Sequence, residues 1–223
     1  MHFLTHIKDL FADFLFPKSE LVLTLEKLST DELIYNLPPA EILKDKYSLV
    51  LFDYSHPLVK EMIWELKYSG NMRIADKLGE ILYDHLQHEL TDLSLFESAR
   101  WHKEKPIIMP VPISNERRFE RGWNQSELLS EQIMRCDSNK IFRYIPKQLV
   151  KIRHTKSQTK TLSKNERLEN LTYSMKVLNP SSVAGAHVIV LDDVTTTGAT
   201  FAEARRALRV AGARNILCIA VAH

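Results

Sequence analysis

Between Val188 and Thr200 the chain reads VIVLDDVTTTGAT: four apolar residues, two adjacent aspartates, a valine, three consecutive threonines, a glycine, an alanine and a fourth threonine. Adjacent carboxylates at Asp192 and Asp193 are good acceptors for two neighbouring hydroxyls, such as O2 and O3 of a ribose. A helix opening directly after a turn of small residues presents unpaired backbone N–H groups and the positive end of its dipole, which suits a phosphate. Thr195, Thr196, Thr197 and Thr200 add hydroxyl donors, and Gly198 and Ala199 keep the turn small enough for backbone to approach an anion. Two carboxylates beside that cradle would repel a bare polyphosphate, so acid pair and phosphate cup together describe a sugar phosphate. One such residue suffices to cap a helix, and here two acids, four threonines and a glycine fall within nine positions. The loop has no Lys for a GxxxxGK[ST] pattern, and the chain's six glycines never form GxGxxG.

A second constellation follows the run Ile107 to Val111, where Pro110 and Pro112 stop a strand and Arg117, Arg118, Arg121, Gly122, Trp123, Asn124 and Gln125 come before the next helical pattern. Guanidinium groups bind phosphate oxygens bidentately, and the Asn and Gln amides can supply further donors or hold the turn. By itself RRFER reads equally well as a solvated basic turn. Between Lys140 and Arg167 stand nine basic residues against one acid, Glu166, so the formal charge of +2 hides a basic belt. Its polar centre, His154 to Ser163 with Lys156 and Lys160, reads either as a mobile loop closing over a polyphosphate or as a surface for single-stranded nucleic acid. In the second case Tyr144, Trp101 or Trp123 are the candidate stacking partners.

The elements that must carry these groups follow from periodicity. Apolar runs at Ile107–Val111, Leu149–Ile152, Val188–Leu191 and Ile216–Val221 read as buried strands, with helical patterns at Gln125–Arg135 and Ala199–Ala211. Strands alternating with helices predict an α/β fold with a mainly parallel twisted sheet flanked by helices. Upstream, Leu58, Val59, Met62, Ile63 and Leu66 mark one helix face closing at Gly70, and Ile74, Leu78, Ile81, Leu82 and Leu86 mark another. Residues 1–16 form an amphipathic helical pattern interrupted by Lys8, Asp9 and Asp13, which is no signal peptide and no membrane span, so the cytoplasm is the expected location. Residues 18–46 mix charges and short apolar groups without a firm period. A hydrophobic content of 44% and a charged content of 26% are those of an ordinary soluble protein. His85 and His88 sit one helical turn apart without the acid that would complete a known metal pattern. Cys136 and Cys218 are distant and in no CxxC pair, so neither a disulfide framework nor a zinc site follows.

The segment 188–200 resembles, without gaps, the phosphoribosyl pyrophosphate (PRPP) loop of type I phosphoribosyltransferases. That resemblance assigns Asp192 and Asp193 to the ribose hydroxyls and Thr195, Thr196, Thr197, Gly198, Ala199 and Thr200 to the 5-phosphate. Together with PVPI…RRFERGWNQSELL and LVKIRHTKSQTKTLSKNERLEN, and upstream LVKEMIWELKYSGNMRIADKL, it is similar to the ComF family of competence-associated proteins over most of the chain. RGWNQ is the family-specific element, with Trp123 where Phe is usual. The resemblance implies a type I phosphoribosyltransferase-like domain over 51–223 and an N-terminal helix and degenerate zinc-ribbon-like appendage over 1–50. ComF proteins generally carry a cysteine-rich zinc ribbon there. Residues 18–50 contain no cysteine, so no structural zinc is expected.

It further implies PRPP with Mg²⁺ as ligands, no metal held by protein side chains, and pyrophosphate contacts from Arg117, Arg118, Arg121, Asn124, Gln125, Lys156 and Lys160. The implied activity is transfer of a phosphoribosyl group to an acceptor with release of pyrophosphate. The alternative is a PRPP-binding component of DNA uptake that performs no transfer, with single-stranded DNA and a DNA-uptake helicase as partners. Purine-salvage members of the superfamily have Asp two positions before the loop glycine, where this chain has Thr196, a poor proton acceptor near neutral pH.

Overall fold

The computed structural model describes residues 19–41, 45, 47–96, 105–152 and 173–223. The N-terminal amphipathic pattern, Trp101, and the loop carrying Lys156 and Lys160 lie outside those residues. Within 18–46, two short helices form where no period was legible, α1 (Glu20–Lys27) and α2 (Thr30–Asn36). Their starts are local: Ser19 caps α1, and Ser29 with Glu32 makes a capping box on α2, so few apolar residues are needed to nucleate them. Val22, Leu25, Leu33 and Leu37 then join the main core.

Five strands, β1 (Ser48–Phe52), β2 (Ile107–Pro110), β3 (Arg143–Tyr144), β6 (His187–Val194) and β7 (Asn215–Ala222), build one parallel sheet in the order β1-β7-β6-β2-β3. Alternate residues of β6 and β7 enter different cores. Ile189, Leu191, Leu217 and Ile219 meet α3 (Pro57–Trp64), α4 (Met72–Phe96) and α6 (Gln125–Cys136). Val188, Val190, Cys218 and Ala220 meet α7 (Ala199–Val210). Cover on both faces is what continuous apolar strands require.

One expectation is corrected. Leu149–Ile152 is not a strand of the parallel sheet. Its residues Leu149–Lys151 form β4, which pairs antiparallel with β5 (Met175–Val177) in a separate ribbon, and Ile152 is exposed. The run was too short to tell a central strand from a half-buried ribbon, since Val150 and Lys151 are only partly covered. Conversely, the edge strands β1 and β3 join the sheet without having been singled out. The ribbon is fastened to α7 by Glu203, which accepts from Met175 N–H at 2.9 Å and from Arg206 Nε at 2.7 Å.

This strand order sets the site. From β6 the chain passes through α7 to β7 on one side, while from β2 it passes through α5 (Asn115–Arg121) and α6 to β3 on the other. The connections diverge between β2 and β6, and the crevice outside the carboxyl ends at such a switch point is where open α/β sheets bind ligands.

Candidate functional site

Asp192 and Asp193 fall at the carboxyl end of β6, both buried, on the lip of that crevice. Asp192 Oδ1 accepts from Ser126 Oγ at 3.1 Å and from the Asp193 N–H at 2.9 Å, and Asp193 Oδ1 accepts from the Val194 N–H at 2.9 Å. Burial, then the adjoining Asp193 carboxylate, raise the Asp192 carboxyl well above its ordinary range. Lys67 Nζ stands 3.1 Å from Asp193 Oδ2, an ion pair without a well-directed hydrogen bond.

Beyond the acids, Thr195 donates its N–H to Ala222 O at 3.0 Å and keeps a buried Oγ1 with no hydrogen-bond partner. Gly198 adopts φ 72°, a left-handed turn that only glycine enters cheaply, and leads into α7, whose first turn carries no side-chain cap. Thr197 Oγ1 accepts from Ala199 N–H at 3.4 Å, Thr196 is exposed, and Thr200 opens the helix. Acid pair and small-residue turn therefore meet at one end of one strand.

Across the crevice, the Val111 N–H to Leu191 O bond of 2.9 Å continues the β2–β6 pairing and brings the RRFERGWNQ segment alongside. Ser114 caps α5 and Gly122 ends it in a left-handed turn; no residue of this helix is buried. Arg117 is exposed. Arg118 is ion-paired with Glu127, and Arg121 donates to Gln125 Oε1 at 3.0 Å with its guanidinium 5.2 Å from the centre of the Tyr68 ring. Asn124 and Gln125 are buried and hold the turn. Asn124 Nδ2 donates to Val111 O at 2.9 Å, its Oδ1 caps α6 through Ser126 N–H at 3.1 Å, and Gln125 Nε2 reaches Lys67 O at 3.5 Å.

Two of the basic residues facing the acids were not among the sequence candidates for the site. Lys151 on β4 is half-buried; burial lowers its pKa, Arg117 lowers it further, and Asp192 opposes them, so all three share one field. Lys67 lies on a π-helical turn, Glu65–Ser69, that continues α3. Nothing in its heptad spacing distinguishes it, and only the Gly70 stop three residues on marks the spot. Of the candidate stacking residues, Trp123 donates Nε1–H to Leu66 O at 2.7 Å, and Tyr144 packs on the core with its hydroxyl buried.

Among the described residues, no group of three or more His, Cys, Asp or Glu is placed to hold a metal ion, and no helix is long and apolar enough to cross a membrane.

This geometry is that of the type I phosphoribosyltransferase fold, and residues 138–223 match the family model described as "Phosphoribosyl transferase domain". The chain is 30% identical over 203 residues to DNA utilization protein YhgH of Escherichia coli O6:H1, covering 90% of this chain and 80% of that relative. It is 29% identical over 171 residues to Competence protein F of Haemophilus influenzae, covering 75% and 69%. With Competence protein ComFC of Bacillus subtilis it shares 28% over 151 residues, covering 68% and 53%. The chain belongs to the ComF family. The solved allosteric regulatory enzyme of purine biosynthesis aligns at a TM-score of 0.37 and 17% identity, over 70% of this chain and 30% of that one, too distant to bear on function.

Proposed function

We propose that the crevice binds PRPP as its Mg²⁺ complex and transfers the phosphoribosyl group to an acceptor, releasing pyrophosphate. The observation that carries this reading is the buried Asp192–Asp193 pair followed by a short turn into the N-terminus of α7, where the N-cap Gly198 offers no side chain, at the switch point. In this reading the acids take O2 and O3 of the ribose, and residues 195–200 take the 5-phosphate. In the same reading the exposed Arg117, with Arg118 and Arg121 beside it, takes the pyrophosphate on C1. Among the described residues no cluster of three or more His, Cys, Asp or Glu is placed to hold a metal, so Mg²⁺ would enter with the ligand. When bound, it would help neutralise charge on the departing pyrophosphate.

The bond from C1 to the pyrophosphate oxygen breaks as the acceptor's nucleophilic atom approaches C1, through an oxocarbenium-like transition state. The chain's residues position the sugar and screen the leaving charge. Thr196 stands where a general base would serve purine salvage, so the acceptor must bring a free lone pair. The test is pyrophosphate release from PRPP and Mg²⁺ across a panel of nucleobases and amines. Release that depends on one acceptor and disappears in Asp192→Asn/Asp193→Asn supports transfer. PRPP binding with no release for any acceptor overturns it.

A second reading, a PRPP-binding protein that handles single-stranded DNA without transfer, has its own support. Relatives are named for DNA utilization and competence. Beside the crevice, Trp64 and Tyr68 are 52% and 55% exposed with ring centroids 5.4 Å apart, Arg121 lies on Tyr68, and Phe119 is 92% exposed among arginines. Aromatic faces interleaved with arginines suit stacked bases and a phosphate backbone. Fluorescence anisotropy with labelled single-stranded DNA should give binding that weakens with salt and drops about tenfold in Trp64→Ala/Tyr68→Ala. No binding at low salt contradicts this reading.

A further inference from the structure

The turn that carries Lys67 is unusually well anchored for one surface-facing lysine. A π-helical turn inserts an extra residue and re-aims the side chains after it, and such turns recur at functional sites. Here Glu65, buried at the start of the turn, accepts from Ser69 Oγ at 3.0 Å and from Asn71 Nδ2 at 2.8 Å. Gly70 closes the turn at φ 59°, with the Trp123 ring so close that a Cβ would sit 3.1 Å from it. The carbonyls of Leu66 and Lys67 are held by Trp123 Nε1 at 2.7 Å and Gln125 Nε2 at 3.5 Å. Trp123 and Gln125 of the RGWNQ element, with Arg121 on Tyr68, thus grip the turn. What the turn delivers into the crevice is the Lys67 ammonium, on Asp193.

The acid pair needs this. Two carboxylates on consecutive residues, both buried, repel each other, and a pair of that kind tends to keep one proton. The charged and titratable groups around them are Lys67 from the π-turn, Lys151 from β4, with Arg117 from α5 beside it, and the Cys218 thiol from β7; Ser126 from α6 adds a hydrogen bond. Of these, Lys67 makes the ion pair with Asp193, while Ser126 and the Asp193 N–H engage Asp192 Oδ1. The two acids are therefore unequal: Asp193 has a fixed counter-charge and Asp192 has neutral donors.

Resting on the ribose-phosphate reading of the site, we propose that Lys67 is a positioning residue that holds the Asp193 carboxylate in place as the acceptor for a ribose hydroxyl, with the RGWNQ element as the clamp that aims it. Lys67 acts through Asp193, the group its ammonium contacts, and not on the phosphate. Asp193 remains able to accept from a sugar hydroxyl because its contact with Lys67 is a charge contact without a directed hydrogen bond.

The test is calorimetric titration with ribose 5-phosphate and, separately, with inorganic phosphate, which probes residues 195–200 without the diol. Wild type should bind ribose 5-phosphate more tightly than phosphate. Lys67→Gln should lose about tenfold for ribose 5-phosphate and nothing for phosphate, Lys67→Arg should restore most of the loss, and Lys67→Gln should add no further loss in an Asp193→Asn background. Lys67→Met must repeat the Lys67→Gln pattern, which keeps the test open if either variant folds poorly. Equal losses for both ligands, or a Lys67→Gln effect that persists in Asp193→Asn, overturns the role of Lys67 while leaving the site reading intact. Wild type that does not distinguish the two ligands overturns both.

Discussion

Asp192 carries its charge at a penalty, and that penalty has a measurable sign. Its carboxyl is raised by burial first and by Asp193 second, so the folded state holds a proton there that the unfolded chain has released. Such a group favours the fold fully below the ordinary Asp pKa and loses that contribution as pH rises through its folded value. Asp192→Asn keeps an acceptor for Ser126 and removes the charge. It is expected to raise stability at pH 8 by about 1–3 kcal/mol, to be nearly neutral near pH 4, and to lose ribose-phosphate affinity, read by melting curves and titration at both pH values. At this scale the acids, threonines and Gly198 were legible because seven chemically matched residues fall within the nine positions 192–200. Lys67 was not. It meets Asp193 across a separation in sequence that only the folded sheet closes. Asn124 and Gln125 read as phosphate donors or turn holders, and only their burial shows which bonds they make here.

At the scale of elements, the site depends on turns as much as on strands. Gly70 holds a left-handed φ and lies against the Trp123 ring. Gly70→Ala should cost about 1–2 kcal/mol from the backbone alone, with a further loss as Trp123 is displaced. Because the same turn aims Lys67, ribose 5-phosphate affinity should fall alongside the melting temperature. A Trp123 fluorescence shift without loss of affinity would show that the clamp and the site are independent. Periodicity located β2, β6, β7, α6 and α7 because each buries a full face or stripe. It could not locate β3, which is two residues long, or α1 and α2, whose starts depend on Ser19 and Ser29 more than on apolar spacing. The π-turn left no periodic trace because it interrupts a helix for a single turn.

For the whole molecule, the decisive feature is where the chain reverses its direction across the sheet. The order β1-β7-β6-β2-β3 sets the two loops that carry chemistry side by side, although Arg121 and Val188 are far apart in sequence. An α/β class was readable from alternating patterns; the order of strands was not, since any parallel order satisfies the same apolar runs. The order matters because it sets residues 192–200 and the arginine segment on one crevice, which the proposed function fills with a sugar carrying phosphates at both ends. Calorimetric titration of PRPP with Mg²⁺ into wild type and Asp192→Asn/Asp193→Asn tests this most directly. Saturable binding to wild type, weakened at least about tenfold in the double variant, is the expected result; absence of binding to wild type, or unchanged affinity in the double variant, would contradict it.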